Sequence, residues 1–107
     1  MKQSPQIALY CLWLKSKSVD YVLESTFHPK RKWRADIAIP SLNVLIEWEG
    51  IMSAKSRHTT VKGFSADCEK YNAAGLLGFT VLRYTIINKN QFYADIDLLI
   101  NNKNSIL

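Results

Sequence analysis

Cysteine is scarce in this 107-residue chain, and long hydrophobic runs are absent. The two cysteines, Cys11 and Cys68, form no C-x-x-C pair, which argues against a disulfide framework and favours buried thiols in a reducing compartment. No apolar stretch reaches the ~18 residues of a membrane-spanning helix. The N-terminal segment has no small-residue cleavage site typical of a secretory signal. We therefore expect a cytoplasmic protein with no membrane partner.

Internal repeats and low-complexity segments are also missing, whereas hydrophobic residues make up 48% of the chain. That fraction supplies a core without support from a disulfide or a structural zinc ion. A chain of this length typically forms one domain, so we expect a single domain over residues 1–107.

The positive charge is concentrated in the first third of the chain. The net charge is +5, and up to Arg34 there are seven Lys/Arg residues against two acids, whereas the remainder is balanced at seven against seven. The densest patch is 28–34, which reads HPKRKWR and contains Lys30, Arg31 and Lys32. A basic cluster around an aromatic residue suits a nucleic-acid backbone, although a solvated hairpin turn is the plain alternative.

Periodicity and turn signals predict a mixed α/β fold with the order α-β-β-β-α-β-α. The first three strands are expected to form an antiparallel meander, and the third and fourth a parallel pair joined by a helical crossover. We predict strands at 19–27, 33–39, 44–48 and 79–84, helices at 5–17, 64–77 and 92–100, and a polar loop at 51–63.

Three carboxylates fall on two neighbouring apolar strands: Asp36 on one, and Glu47 and Glu49 on the next. Glu47 and Glu49 point to the same face of a strand, and pairing through a short turn brings Asp36 level with them. Like charges this close repel unless a cation lies between them. Oxygen ligands suit Mg²⁺, whereas no Cys/His spacing supports zinc. A purely structural pairing of Asp36 and Glu47 with Arg34 or Arg83 remains the alternative.

A divalent cation beside a basic patch indicates phosphodiester hydrolysis. The candidates for orienting the water or protonating the leaving oxygen are His58, Lys62 and Lys70. Each has a plainer interpretation: His58 as an exposed loop residue, and Lys70 as the partner of Asp67 in a surface ion pair.

From about Val19 to Tyr84, the chain resembles the PD-(D/E)XK nuclease superfamily. The segments HPKRKWRADIAIP, LIEWEG and RHTTVKGFSADCEKYNAAGLLGFTVLRYT resemble small phage and prophage endonucleases related to very-short-patch-repair and Holliday-junction-resolving enzymes. The resemblance implies a restriction-endonuclease-like core, with Asp36 and Glu47 as metal ligands. Glu49 stands where the superfamily usually has lysine. Glu49 is then a further ligand or general base, and Lys70, with Lys62 as runner-up, replaces the lysine.

The implied protein is a Mg²⁺-dependent DNA endonuclease of a bacterial or phage-infected cell, with Mn²⁺ as a substitute ion. Its small size favours a structure-selective substrate such as branched DNA, and a junction with two strands to cut favours a homodimer. The expected DNA contacts, which track the backbone rather than read bases, are Lys30, Arg31, Lys32, Arg34, Arg57 and Lys62. Alternatives left open are a catalytically inactive DNA-binding module, a mismatch nickase, a small toxin that degrades DNA indiscriminately, and RNA as a substrate.

Overall fold

The computed structural model describes residues 4–50 and 60–105. The elements follow the predicted order, with one additional 3-10 turn before the third strand: α1 (Pro5–Ser16), β1 (Val22–Thr26), β2 (Arg34–Ile39), the turn (Pro40–Leu42), β3 (Val44–Trp48), α2 (Val61–Leu76), β4 (Thr80–Tyr84) and α3 (Gln91–Ser105). The predicted α/β class is therefore confirmed.

The four strands form one mixed sheet in the order β1-β2-β3-β4. The β1/β2 and β2/β3 pairs are antiparallel, and β3/β4 is parallel. Short turns suffice for the antiparallel pairs, whereas the parallel pair needs a long crossover, which contains α2. Both the meander and the parallel pair were expected from the sequence.

Side-chain caps explain where the first two helices begin. The Ser4 hydroxyl accepts a hydrogen bond from the Gln6 N–H at 3.2 Å, and Pro5 occupies the first helical position. The Thr60 hydroxyl accepts from the Gly63 N–H at 2.9 Å, so α2 begins at Val61, three residues before the predicted start. The polar first turn of α2 carries no apolar period, which is why periodicity missed it.

The final helix is longer than predicted, since α3 continues to Ser105 rather than ending near Ile100. Residues 101–104 are polar and exposed, so this part of the helix lacks the apolar spacing used to place it. The Lys103 ammonium, near this end of the helix, donates a hydrogen bond to the Ser41 carbonyl at 2.7 Å. Among the described residues, no helix is long and apolar enough to cross a membrane.

The two faces of the sheet have buried side chains of different size. The face covered by α1 and α3 has large buried side chains, among them Tyr10, Leu14, Ile37, Ile46, Phe92 and Ile96. The face covered by α2 has mainly small ones: Ala35, Ala38, Leu45 and Ala74. Ala74 of α2 packs among these small side chains, and α2 has its main backbone contact with the sheet at β4.

Candidate active site

Asp36 and Glu47 lie opposite each other at the end of the β2/β3 ladder. The register pairs Ile37 with Ile46, so the next step along the strands places Asp36 opposite Glu47. Asp36 Oδ2 accepts a hydrogen bond from the Trp48 N–H at 2.7 Å, and Glu47 Oε2 accepts from the Asp36 N–H at 3.2 Å. Each carboxylate is thus held by the backbone of the opposite strand, and the predicted juxtaposition of these two acids is present.

Lys70 reaches this pair from α2. Its Nζ lies 2.9 Å from Glu47 Oε1, and the two side chains are only 18% and 11% exposed. Burial raises the pKa of the Glu47 carboxyl, the neighbouring Lys70 ammonium opposes that rise, and Asp36 adds to it. The ion pair is therefore largely shielded from water, unlike the surface pairing with Asp67 that was considered for this lysine.

The Asp36 carboxyl is also poorly solvated. Burial is the main cause that raises its pKa; the hydrogen bond from Trp48 and the charge of Lys70 oppose the rise, and the charges of Glu24 and Glu49 reinforce it. Two partly buried carboxylates with raised pKa values form a site whose ionised state a cation would stabilise.

Glu24, whose charge helps to raise the pKa of Asp36, has an unusual backbone conformation. It lies within β1 with a left-handed φ of +49°, which is uncommon for a non-glycine residue. Its carboxylate is 3.9 Å from Arg34, so Arg34 pairs with Glu24 instead of the two carboxylates considered for it.

Glu49 is held by one side chain from α2 and one from β4. Its Oε2 accepts from Arg83 Nε at 2.8 Å and from the Tyr71 hydroxyl at 3.1 Å. The Arg83 guanidinium also lies over the Tyr71 ring, 4.2 Å from its centroid. The sequence offers Arg83 as an alternative partner for Asp36 or Glu47, and it gives no signal that places Tyr71 in the site. The parallel register that places Arg83 beside Glu47 was the available signal for Arg83.

The oxygen donors fit a hard divalent ion better than a tetrahedral metal. Within residues 4–50 and 60–105, no three His, Cys, Asp or Glu side chains are grouped closely enough to form a complete metal cage. Magnesium needs no such cage, because it is commonly bound by one or two carboxylates and completes its shell with water and substrate phosphate. The Asp36–Glu47 pair, with its desolvated oxygens, matches that requirement.

The predicted basic residues lie outside the carboxylate site. Lys30, Arg31, Lys32 and Arg34 are exposed in and beside the β1–β2 connection, and Lys62 is exposed in the first turn of α2. Arg57 and His58 fall outside the described residues. The structure therefore brings Asp36, Glu47 and Lys70 together, with Glu49 beside them.

Comparison with known proteins gives a structural match alone. Neither the known protein families nor the curated proteins contain a match to this chain. Among solved structures, the fold is similar to that of the catalytic domain of the homing endonuclease I-Bth0305I, with a TM-score of 0.56 and 14% sequence identity. The similarity covers 94% of this chain and 92% of that domain. At this identity the match establishes a nuclease-like core fold.

Proposed function

We propose that this protein is a divalent-metal-dependent DNA endonuclease of the PD-(D/E)XK type. The observation that carries the proposal is the cluster of Asp36, Glu47 and Lys70, in which a lysine at 2.9 Å accompanies two desolvated carboxylates on paired strands. An acid pair with a buried cation suits phosphoryl transfer, where catalysis depends on positioning and charge stabilisation. The structural neighbour, a homing endonuclease catalytic domain, supports the same activity.

Asp36 and Glu47 would hold the metal ion, with Glu49 beside them as a group that positions the water. The ion, when bound, lowers the pKa of a coordinated water and neutralises charge on the phosphate oxygens. Lys70 holds Glu47 in place and supplies positive charge beside the phosphate. Arg83 and Tyr71 fix the carboxylate of Glu49. His58 or Lys62 would contact the scissile phosphate.

Lys70 offers a replacement for the lysine that this chain lacks at position 49. Glu49 stands two residues after Glu47, where the superfamily usually has lysine, and a glutamate cannot supply that positive charge. Lys70 reaches Glu47 from α2, so the cation comes from the helix packed on the sheet rather than from the strand itself. We propose that Lys70 takes the role of the missing lysine.

The DNA would be bound through charge and shape. Lys30, Arg31, Lys32 and Arg34 form an exposed basic group at one end of the β1/β2 hairpin, suited to phosphates. So small a protein has little surface for a long recognition site, so we propose a structure-selective enzyme of phage or prophage type that acts on branched DNA. Two copies would be needed to cut two strands symmetrically, and the exposed Leu9 and Leu12 of α1 are available for such a contact.

A substrate panel tests the activity. The pure protein is incubated with a labelled four-way junction, a flap, a mismatched duplex and a plain duplex, each with Mg²⁺, Mn²⁺ or EDTA. Asp36→Asn is the inactive variant, and Asp97→Asn, which alters an exposed aspartate on α3, is the matched control. Metal-dependent cutting that only Asp36→Asn abolishes supports the proposal. Binding without cutting under every metal would indicate an inactive DNA-binding module, and preferred cutting of the mismatched duplex a mismatch nickase.

A further inference from the structure

A cleft separate from the carboxylate cluster lies between the β1–β2 connection and one side of α2. Its volume is about 720 Å³, within the range of small-molecule sites. One wall contains His28, Lys30, Arg31 and Trp33. The other wall is α2, which contributes Phe64, Cys68, Asn72 and Leu76 at four-residue spacing, with Ser65, Glu69 and Ala73 beside them. The cleft thus has aromatic and cationic groups on one side, and apolar side chains, an amide and the Glu69 carboxylate on the other.

The hairpin wall contains planar groups in contact with Trp33, which itself lines the cleft. The rings of Phe27 and Trp33 are nearly parallel, at 15° with centroids 6.4 Å apart, and the Arg31 guanidinium lies 3.9 Å from the Trp33 centroid. Glu69 on α2 holds Arg31 through an ion pair of 2.5 Å, while the Arg31 side chain remains 50% exposed. A planar cation held against an aromatic ring is a platform for a further planar ring.

The opposite wall offers an apolar contact and hydrogen-bonding groups. The Phe64 side chain is 54% exposed, which is unusual for a phenylalanine and provides a second ring surface. Asn72 carries both donors and an acceptor, as a base edge requires. His28 Nδ1 accepts the N–H groups of Lys30 and Arg31, so a neutral His28 ring carries its proton on Nε2.

Consecutive residues of α2 connect the cleft with the carboxylate cluster. Glu69 pairs with Arg31 in the cleft, and the next residue, Lys70, pairs with Glu47. The cleft and the carboxylate cluster are therefore neighbouring sites that share α2, and a nucleotide seated in the cleft would lie beside the cluster. A paired base is stacked and hydrogen-bonded within its duplex, so only an unpaired base can enter such a cleft.

We propose that this cleft receives one unpaired nucleobase of a DNA substrate, stacked on the Arg31–Trp33 platform and flanked by Phe64, with Lys30 near its phosphate. The occupant is chosen by the chemistry of the walls: planar stacking surfaces, a base-edge amide and positive charge that complements the phosphate. This inference rests on the proposed nuclease function and refines its substrate to DNA with an unpaired nucleotide near the cut.

Binding in EDTA, where no cutting occurs, tests the cleft independently of catalysis. A duplex with one bulged 2-aminopurine is compared with the fully paired duplex by fluorescence anisotropy, and quenching of the 2-aminopurine reports stacking. We expect tighter binding of the bulged duplex and quenched emission. Phe64→Ala and Arg31→Gln should each reduce the preference for the bulge by about tenfold, as expected for loss of one stacking contact.

Two matched variants separate the cleft from general effects. Lys32→Gln removes the same charge as Arg31→Gln from an exposed neighbour outside the cleft, so it should weaken both duplexes equally and preserve their ratio. Leu98→Ala removes an exposed apolar side chain from α3 and should leave the ratio unchanged. Equal affinity for both duplexes, or a ratio unaffected by Phe64→Ala and Arg31→Gln, would overturn the proposal.

Failure of the cleft and failure of the nuclease are distinguishable. Metal-dependent cutting without any preference for the bulge would reject the cleft and keep the nuclease. Preferential, quenched binding of the bulge by a protein that never cuts would keep the cleft and reject the nuclease.

Discussion

Replacing Lys70 tests the energetics of the candidate site without any substrate. In Lys70→Met, Glu47 loses the ammonium that lies 2.9 Å from its carboxylate, although methionine retains much of the apolar stem. Breaking a fully buried ion pair costs about 3–5 kcal/mol, whereas an exposed pair contributes ~0–1 kcal/mol. Because the two side chains keep 18% and 11% exposure, we expect the free energy of unfolding to fall by about 2–3 kcal/mol at neutral pH.

The destabilisation caused by Lys70→Met should be smaller at low pH than at neutral pH. Burial already raises the pKa of Glu47 in the folded protein, and removing Lys70 raises it further. A folded-state pKa above the unfolded value means that the folded state binds the proton more tightly, so the contribution of Glu47 to stability is greatest at low pH and is lost as pH rises through the folded pKa. The deficit of Lys70→Met should therefore shrink between about pH 7 and about pH 4.

Urea unfolding followed by circular dichroism measures both effects. At neutral pH the midpoint should fall by about 1–2 M for a domain of this size. The double variant Lys70→Met/Glu47→Gln should recover most of the loss, since its buried acid is neutral. A deficit that does not change with pH, or no recovery in the double variant, would refute the claim that a desolvated charge pair organises the site.

Three further changes test other parts of the account. Asp36→Asn should abolish cutting yet raise the melting temperature of the metal-free protein at neutral pH. Burial raises the pKa of Asp36, so the ionised carboxylate destabilises the folded state above that pKa. A lower melting temperature in EDTA would contradict this. Tyr10→Phe should cost about 1–2 kcal/mol in urea unfolding, since it leaves the Lys89 carbonyl without its 2.7 Å donor; an unchanged midpoint would count against that bond. Lys32→Ala should weaken DNA binding for all sequences alike and reduce the slope of log affinity against log salt by about 1; anisotropy titrations at several salt concentrations would expose an unchanged slope.

The spacing of apolar residues and the turn signals made most of the fold predictable. β3 was predicted with its observed ends, because the apolar residues Val44, Leu45 and Ile46 follow Asn43 directly and Gly50 breaks the strand. The short connection between β2 and β3 also implied that Asp36 and Glu47 would face each other. These inferences depend on the local spacing of apolar residues and on the alternation of side chains along a strand, which can be applied to a single sequence.

The rest of the site depends on contacts between elements distant in the chain. The binding of Glu49 by Tyr71 and Arg83 requires the positions of α2 and β4 relative to β3, which no local pattern encodes. No local pattern therefore marks Tyr71 as part of the site, although its hydroxyl donates to Glu49. Lys70 was proposed as the replacement for the missing lysine, but its distance of 2.9 Å from Glu47 depends on how α2 packs on the sheet. Arg57 and His58 fall outside the described residues and stay predictions.

The central claim is that Asp36 and Glu47 form a divalent-metal site with Lys70 beside it. Isothermal titration of Mg²⁺ and Mn²⁺ into the wild-type protein, Asp36→Asn, Glu47→Gln and the control Asp97→Asn tests it most directly. The account predicts that the wild type and Asp97→Asn bind the ions, and that neutralising Asp36 or Glu47 abolishes or strongly weakens that binding. Ion binding that survives in both Asp36→Asn and Glu47→Gln, or no binding by the wild-type protein, would contradict it.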